Sequence, residues 1–245
     1  MLQVHTVPAL LPVDTAVVEL RQYTLHPGAR ETLVALFDKE FVETQEACGM
    51  SVLGQFRDLD RPDHFVWLRG FADMDRRAEA LAAFYDGPVW RRHRDAANAT
   101  MIDSDDVLLL RPSAPAPIAL LDRGDRPSGA SELPGSVFEA VICPVAPEEL
   151  DAFAQWFASE MEPALNEAGG DVVASFVTEP ARNTYPRLPV REDASVFVWL
   201  AQLKAGSPLL HPEQSRVGAA LSRELAGRTE PVRLRLAPTA RSLLR

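Results

Sequence analysis

Few residue types in this chain can do chemistry, and most of them fall in its first hundred positions. Glu19, Arg21 and Tyr23 alternate along a β-branched run, so all three project from one side of a strand. Phe65, Trp67, Arg69 and Phe71 do the same about 45 residues later, while Val66, Leu68 and Gly70 fall on the opposite side, which is small and apolar as a surface under helices would be. If the two sets share a face, it mixes aromatic rings with guanidiniums, as small-molecule pockets do. Arg21 and Arg69 could then hold an anionic or enolate oxygen, with Tyr23, Phe65 and Trp67 lining the pocket. The competing reading is a buried ion-pair lattice between two sheets, with Glu19 as its centre.

Two further candidates sit on helical segments. Leu33, Leu36, Phe37 and Phe41 define an apolar stripe, and a 100° step places Glu40 within it. A carboxyl there must pair with a cation or have its pKa raised, which would suit a general acid or base. On the segment opening at Pro88, Val89, Trp90, Ala96, Ala97, Thr100 and Met101 form one arc with His93 in its middle. His93 is the best proton-transfer candidate in the chain, although a histidine on an apolar arc is also an ordinary core residue. Trp90 joins the list of pocket residues. The histidines at 5, 26, 64, 93 and 211 show no HxxxH spacing, so no metal site is expected. GxGxxG, P-loop and GxSxG motifs are absent, so neither a nucleotide cofactor nor an acyl-serine is signalled, and no cofactor is expected. Haem, with His211 or His93 as axial ligand, is a weaker alternative without a supporting motif.

The elements that must position these residues come in two copies. Val18-Glu19 matches Phe138-Glu139 at an offset of 120, which also pairs Phe37 with Phe157, Glu40 with Glu160, Gly49 with Gly169 and Phe56 with Phe176. Phe65-Val66-Trp67-Leu68 recurs as Phe197-Val198-Trp199-Leu200 at an offset of 132, implying an insertion in the stretch 181–193. Val107 against Val232 gives 125 for the last strand. Each copy reads strand, helix, strand, strand, helix, strand. The first has strands at 15–23, 50–59, 64–71 and 106–111, and helices at 29–48, 75–84 and 88–101. The second has strands at 136–143, 171–178, 194–202 and 230–236, and helices at 147–167 and 211–226. Residues 1–14 read as an N-terminal extension and the Pro- and Ser-rich 113–135 as a linker between repeat 15–112 and repeat 136–245. The duplication separates shared duties from private ones. Glu19 recurs as Glu139, which favours a role in the fold, whereas Arg21, Tyr23 and Arg69 become Val141, Cys143 and Ala201.

A βαββαβ unit is an α+β, ferredoxin-like sheet with its helices on one face. The simplest cover for the other face is the second repeat's sheet, giving a pseudo-dimeric α/β barrel with helices outside. Hydrophobic residues at 47% supply ample core, and acids outnumber bases 35 to 25, which argues against nucleic acid as a partner. No run approaches the ~20 apolar residues of a membrane helix. With no signal peptide recognisable at the N-terminus, a cytoplasmic protein is expected. Cys48 and Cys143 lack metal or redox spacing and read as buried thiols. Lysine occurs only at Lys39 and Lys204, an Arg-dominated composition that suggests a GC-rich genome.

Val17-Val18-Glu19-Leu20-Arg21-Gln22-Tyr23, Gly54-Gln55-Phe56-Arg57, Phe65 to Phe71 and the segment Trp90 to Met101, in this order and spacing, resemble the NIPSNAP family. The resemblance covers about residues 15–112 and is weak in the second half. It implies the dimeric α/β-barrel fold, shared with cofactor-independent monooxygenases, haem-degrading enzymes and chlorite-dismutase-like proteins, but no catalytic motif. The resulting expectation is a cofactor-free enzyme tailoring an apolar or aromatic secondary metabolite by oxygenation, cyclisation or isomerisation. The alternative is a binding or scaffold protein. Either would take a small-molecule ligand, and the pseudo-dimers could pair further as homodimers.

Overall fold

The computed structural model describes residues 15–113, 126 and 128–245. The expected N-terminal extension 1–14 and most of the expected linker lie outside them. The first repeat runs β1 (Val17–Leu25), α1 (30–47), β2 (Ser51–Asp58), β3 (His64–Phe71), α2 (Met74–Tyr85), α3 (Pro88–Asn98) and β4 (Met101–Pro112). The second runs β5 (Val137–Pro144), α4 (150–167), β6 (Gly170–Thr178), β7 (Val196–Leu203), α5 (Arg216–Ala226) and β8 (Val232–Pro238). Met101, expected at the end of α3, instead opens β4. The stretch 208–214, expected in part as helix, forms two short 3-10 turns before α5, because Pro208 and Pro212 each restart the chain.

All eight strands close into one antiparallel barrel in the order β1-β3-β2-β8-β5-β7-β6-β4. The seams are short: Phe56↔Pro238 to Asp58↔Leu236 on one side and Leu110↔Thr178 to Pro112↔Phe176 on the other. Each joins the second strand of one repeat to the last strand of the other, as a pseudo-twofold axis requires, and among the described residues no sheet edge is left open. The repeat extends to irregularities. A bulge between Val52 and Gly54 recurs between Val172 and Ala174. A π turn at Phe37–Phe41, inside α1, recurs at Phe157–Met161, inside α4. Gly49 and Gly169 end these helices with φ of 95° and 84°, a left-handed conformation that glycine adopts without a Cβ penalty. The last strand needs one adjustment: Arg21 faces Val107 while Val141 faces Arg233, so the offset there is 126, not 125.

Strand alternation sorted the residues into the right two sets, but the sets lie the opposite way round. Val18, Leu20, Val66, Leu68, Leu108 and Leu110 meet Phe138, Ala140, Val198, Leu200, Leu234 and Leu236 inside the barrel. The set with Tyr23, Phe65, Trp67 and Phe71 lies outside the barrel, under α1, α2 and α3. Geometry explains the preference. The narrow lumen of this eight-stranded barrel is filled by side chains, mostly aliphatic with Phe56, Phe138 and Phe176 among them. The wider layer between sheet and helices accepts rings and guanidiniums. The end of the chain completes the interior. Leu243 and Leu244 join the barrel core, Thr239 N donates to Gln55 O (2.8 Å), and Leu244 N donates to Leu53 O (3.1 Å).

Candidate functional site

The outer face of the first sheet carries a buried charge cluster built on Glu19. β1 and β3 pair Glu19 with Arg69, and Arg21 lies two residues along the same face. Glu19 Oε2 accepts from Arg21 Nη1 at 2.7 Å and from Arg69 Nε at 2.8 Å, and Arg69 Nη2 stands 2.7 Å from the same oxygen. Oε1 accepts from Arg77 Nε, reaching down from α2, at 2.7 Å. All four side chains are buried. The three guanidiniums hold the Glu19 carboxyl well below the usual carboxylate range, overcoming the opposite effect of its burial. Burial pushes the Arg77 pKa down, with Arg69 and Arg21 adding to the effect against the attraction of Glu19.

Aromatic groups wall the cluster. Arg21 Nε donates to Tyr23 Oη (3.0 Å), and the Arg21 guanidinium lies 5.7 Å from the Trp67 ring centroid. That of Arg69 lies 5.0 Å from Trp67 and 5.6 Å from Phe71. Arg69 Nη1 reaches Gln45 Oε1 at 3.2 Å and Tyr85 Oη at 3.5 Å. Burial raises the Tyr23 pKa in spite of Arg21, so this phenol is neutral and donates or accepts as such. Trp67 Nε1 is buried without a hydrogen-bond partner. The lattice weighed in the sequence therefore exists, but between sheet and helices rather than between sheets.

The structure brings Arg21, Tyr23, Phe65, Trp67 and Arg69 together and sets His93 and Glu40 apart. His93 Nε2 is 3.6 Å from Glu40 Oε2, and both side chains are about a quarter exposed, at 23% and 26%. One expectation is corrected. Glu40 leaves the apolar stripe because the π turn adds a residue to that turn of α1, so the 100° step no longer holds. Of the two outcomes expected for its carboxyl, pairing with a cation is the one found: Lys39 Nζ lies at 2.9 Å and lowers its pKa, although burial opposes this. His93 is half-buried because only Ala97 on α3 is fully covered. Trp90 connects the two groups: its ring centroid is 5.7 Å from that of Phe41 and 4.9 Å from that of Tyr85. Among the described residues no group of three His, Cys, Asp or Glu side chains could hold a metal ion.

Sequence reasoning missed Arg77, although a signal existed. With Ala80, Leu81 and Phe84 it follows the i, i+3, i+4, i+7 spacing of a buried helical stripe, where an arginine needs an acid. It also missed that the 181–193 insertion of the second repeat docks on the first. Arg77 Nη1 donates to Asn183 Oδ1 (3.0 Å) and Thr184 Oγ1 (3.2 Å), and Tyr185 stacks on Tyr85 at 6.1 Å. Arg187 pairs with Asp86 (2.7 Å) and Arg191 with Asp106 (3.2 Å). Under this loop lies a cavity of 170 Å³ lined by Leu109, Thr178, Glu179 and loop residues around Arg182 and Arg191. Leu109 is the residue of β4 paired with Glu19, so the cavity adjoins the cluster.

The second repeat builds no such site. Glu139 is equally buried but has one cation, Arg233, at 2.8 Å, and its other oxygen has no hydrogen-bond partner. Burial outweighs Arg233 there and raises its pKa. One aspect of Glu19, a buried carboxylate met by arginine, belongs to the fold of both halves; the threefold excess of arginine belongs to one.

The barrel has relatives of known structure. It matches a candidate monooxygenase from Fusobacterium nucleatum subsp. nucleatum ATCC 25586 with a TM-score of 0.58 at 9% identity, covering 92% of this chain and 93% of the other. A candidate monooxygenase from Lactobacillus acidophilus NCFM gives 0.55 at 12% identity, over 92% and 94%. An anthrone oxidase-like protein gives 0.53 at 12%, over 92% of both chains. At such identities the likeness is one of fold. No curated protein matches the sequence. The NIPSNAP family model matches residues 18–117, the repeat that holds the charge cluster. Residues 18–117 are thus similar to the NIPSNAP family, and a second repeat of the same ferredoxin-like fold closes that domain into a barrel.

Proposed function

We propose that this protein is a cofactor-independent enzyme acting on an apolar or aromatic small molecule, with its site in the outer layer of the first repeat. One observation carries the reading: three buried arginines surround a single carboxylate among aromatic rings, in one repeat and not in its copy. Burying an unmatched charge is costly, and a fold that needs only one arginine per glutamate has no use for the surplus. Arg21 and Arg69 would stabilise a developing enolate or phenolate oxygen, with Tyr23, Phe65, Trp67 and Trp90 shaping the pocket. His93, paired with Glu40 across the Trp90 edge, is the candidate for moving a proton between that layer and solvent. Oxygenation, cyclisation or isomerisation in cytoplasmic secondary-metabolite tailoring suits this chemistry, with one site per barrel whether or not barrels pair.

Native mass spectrometry of freshly purified protein against its denatured mass tests whether an organic ligand is held. Anthrone is the first substrate to try, following its absorbance and oxygen uptake. Loss of turnover in Arg69→Gln and a shifted pH profile in His93→Gln are expected. Full activity in a folded Arg69→Gln variant would remove the assigned role. A filled barrel interior favours a second reading, a binding protein without catalysis. Ligand protection against unfolding without turnover of any substrate would establish it.

A further inference from the structure

The surplus charge of the cluster is open to a count. Arg21, Arg69 and Arg77 each pair with Glu19, and no ion pair joins any of them to another described carboxylate, leaving two positive charges in excess. Arg77 is the least satisfied of the three. Its Nε is used by Glu19 and its Nη1 by neutral oxygens of Asn183 and Thr184, while Nη2 is buried without a hydrogen-bond partner. With Glu19 shared among three arginines, a buried guanidinium whose Nη1 has neutral partners and whose Nη2 has none can take a second anion. The partners are also replaceable. Asn183 and Thr184 belong to a surface loop, and the 170 Å³ cavity next to them in that loop is lined by Arg182 and Arg191 against Glu179 and Glu192 and reaches Leu109, the β4 partner of Glu19. A cavity of about 150 Å³ accommodates benzene, so a single aromatic ring fits this space.

We propose that Arg77 is a further binding residue of the site, and that it takes the carboxylate of a small aromatic acid which displaces Asn183 and Thr184 from its guanidinium. The 181–193 loop of the second repeat is then the door to the first repeat's site, with Tyr185 on Tyr85 and Arg187 on Asp86 as its outer fastenings. An incoming monoanion lowers the excess from two charges to one. It also exchanges neutral hydrogen bonds to Arg77 for charge-assisted ones, and this is the differential affinity that opens the loop. This inference shares the location of the proposed enzymatic site but not its chemistry: it concerns how a ligand is held, whether or not it is converted.

Benzoate is the probe, with benzamide as its neutral isostere and chloride at equal ionic strength as the control for unspecific salt effects. On the full chain, saturating benzoate is expected to raise Tm by roughly 5 °C or more, and neither control does so. The benzoate effect disappears in Arg77→Gln. In Thr184→Val, which weakens the latch while leaving the cluster intact, benzoate binds a few-fold more tightly. Hydrogen exchange changes in 181–193 on benzoate addition and stays unchanged with benzamide. Absence of a benzoate shift in the native protein overturns the proposal, as does an equal shift in Arg77→Gln or an unaffected loop. Turnover is measured separately, on the substrates of the enzyme test, and decides none of these arms. Benzoate binding through Arg77 in a protein that converts nothing would sink the enzyme reading alone. Turnover that persists without any benzoate site would sink this one alone.

Discussion

Replacing Glu19 by glutamine is the sharpest test of the charge accounting. Glu19 receives hydrogen bonds from Arg21 Nη1, Arg69 Nε and Arg77 Nε, all between 2.7 and 2.8 Å, in a fully buried setting. The amide keeps one acceptor oxygen and turns a donor toward at least one guanidinium, and three cations then face one another without a counterion. Breaking a buried ion pair costs about 3–5 kcal/mol, and a threefold hub belongs at the upper end. Against a typical total of ~5–15 kcal/mol this is a large fraction of the stability. With a urea m-value of ~3 kcal/mol/M, the midpoint should fall by more than ~1 M. Glu139→Gln is the internal control. Its carboxylate has one partner, and Arg233, 28% exposed, can turn to water once released. A loss below ~1 kcal/mol is expected there. Urea denaturation of both variants, followed by tryptophan fluorescence and circular dichroism, reads the difference. A Glu19→Gln protein within ~1 kcal/mol of wild type, or a Glu139→Gln protein equally damaged, would refute the assignment of the cluster as the principal buried charge hub.

Other consequences are simpler to read. Burial pushes the Asp38 carboxyl up to about 6 against its bonds to Thr239 and Arg241. Because the folded value exceeds the unfolded one, stability should fall as pH rises from ~4 to ~6, by at most ~3 kcal/mol, and Asp38→Asn should flatten that slope. Glu19 works in the opposite direction: its lowered value stabilises the fold above the ordinary carboxylate range and that contribution is lost in strong acid, so acid unfolding should begin at a higher pH in Glu19→Gln. Gly54→Ala would place its Cβ 2.5 Å from Phe56 Cε2 and 3.3 Å from Leu244 Cδ1, costing ~1–3 kcal/mol in thermal or urea unfolding. Burial pushes the Cys143 thiol up to about 12, so a thiol reagent at pH 8 should label half-buried Cys48 first and Cys143 only on unfolding.

The fold was legible because duplication wrote it twice. Glu19 and Glu139, Phe37 and Phe157, and the two Phe-Val-Trp-Leu strands fixed the order of elements, and a βαββαβ unit permits few ways of covering its bare face. The side of the sheet was not legible: alternation separates Trp67 from Leu68 without saying which one meets a helix. The π turn hid Glu40, since a step of 100° per residue fails where an extra residue enters the turn. Arg77 could have been found on its helical stripe, but its partners could not. Asn183 and Thr184 lie more than a hundred residues away in a segment with no periodicity, and no local pattern announces where such a loop lands.

The docking of the second repeat's insertion on the first has a consequence for how this molecule could specialise. In a dimer of identical subunits every change is made twice, so an added loop must suit both sites and a surplus charge is paid for on both sides. Joining the copies in one chain removes that obligation. One repeat can accumulate arginines that its sister never carries, and the sister can grow a loop whose only use lies across the pseudo-axis. Binding should accordingly saturate at one ligand per chain, with a simple hyperbola and no communication between equivalent sites, because there is no second equivalent to communicate with.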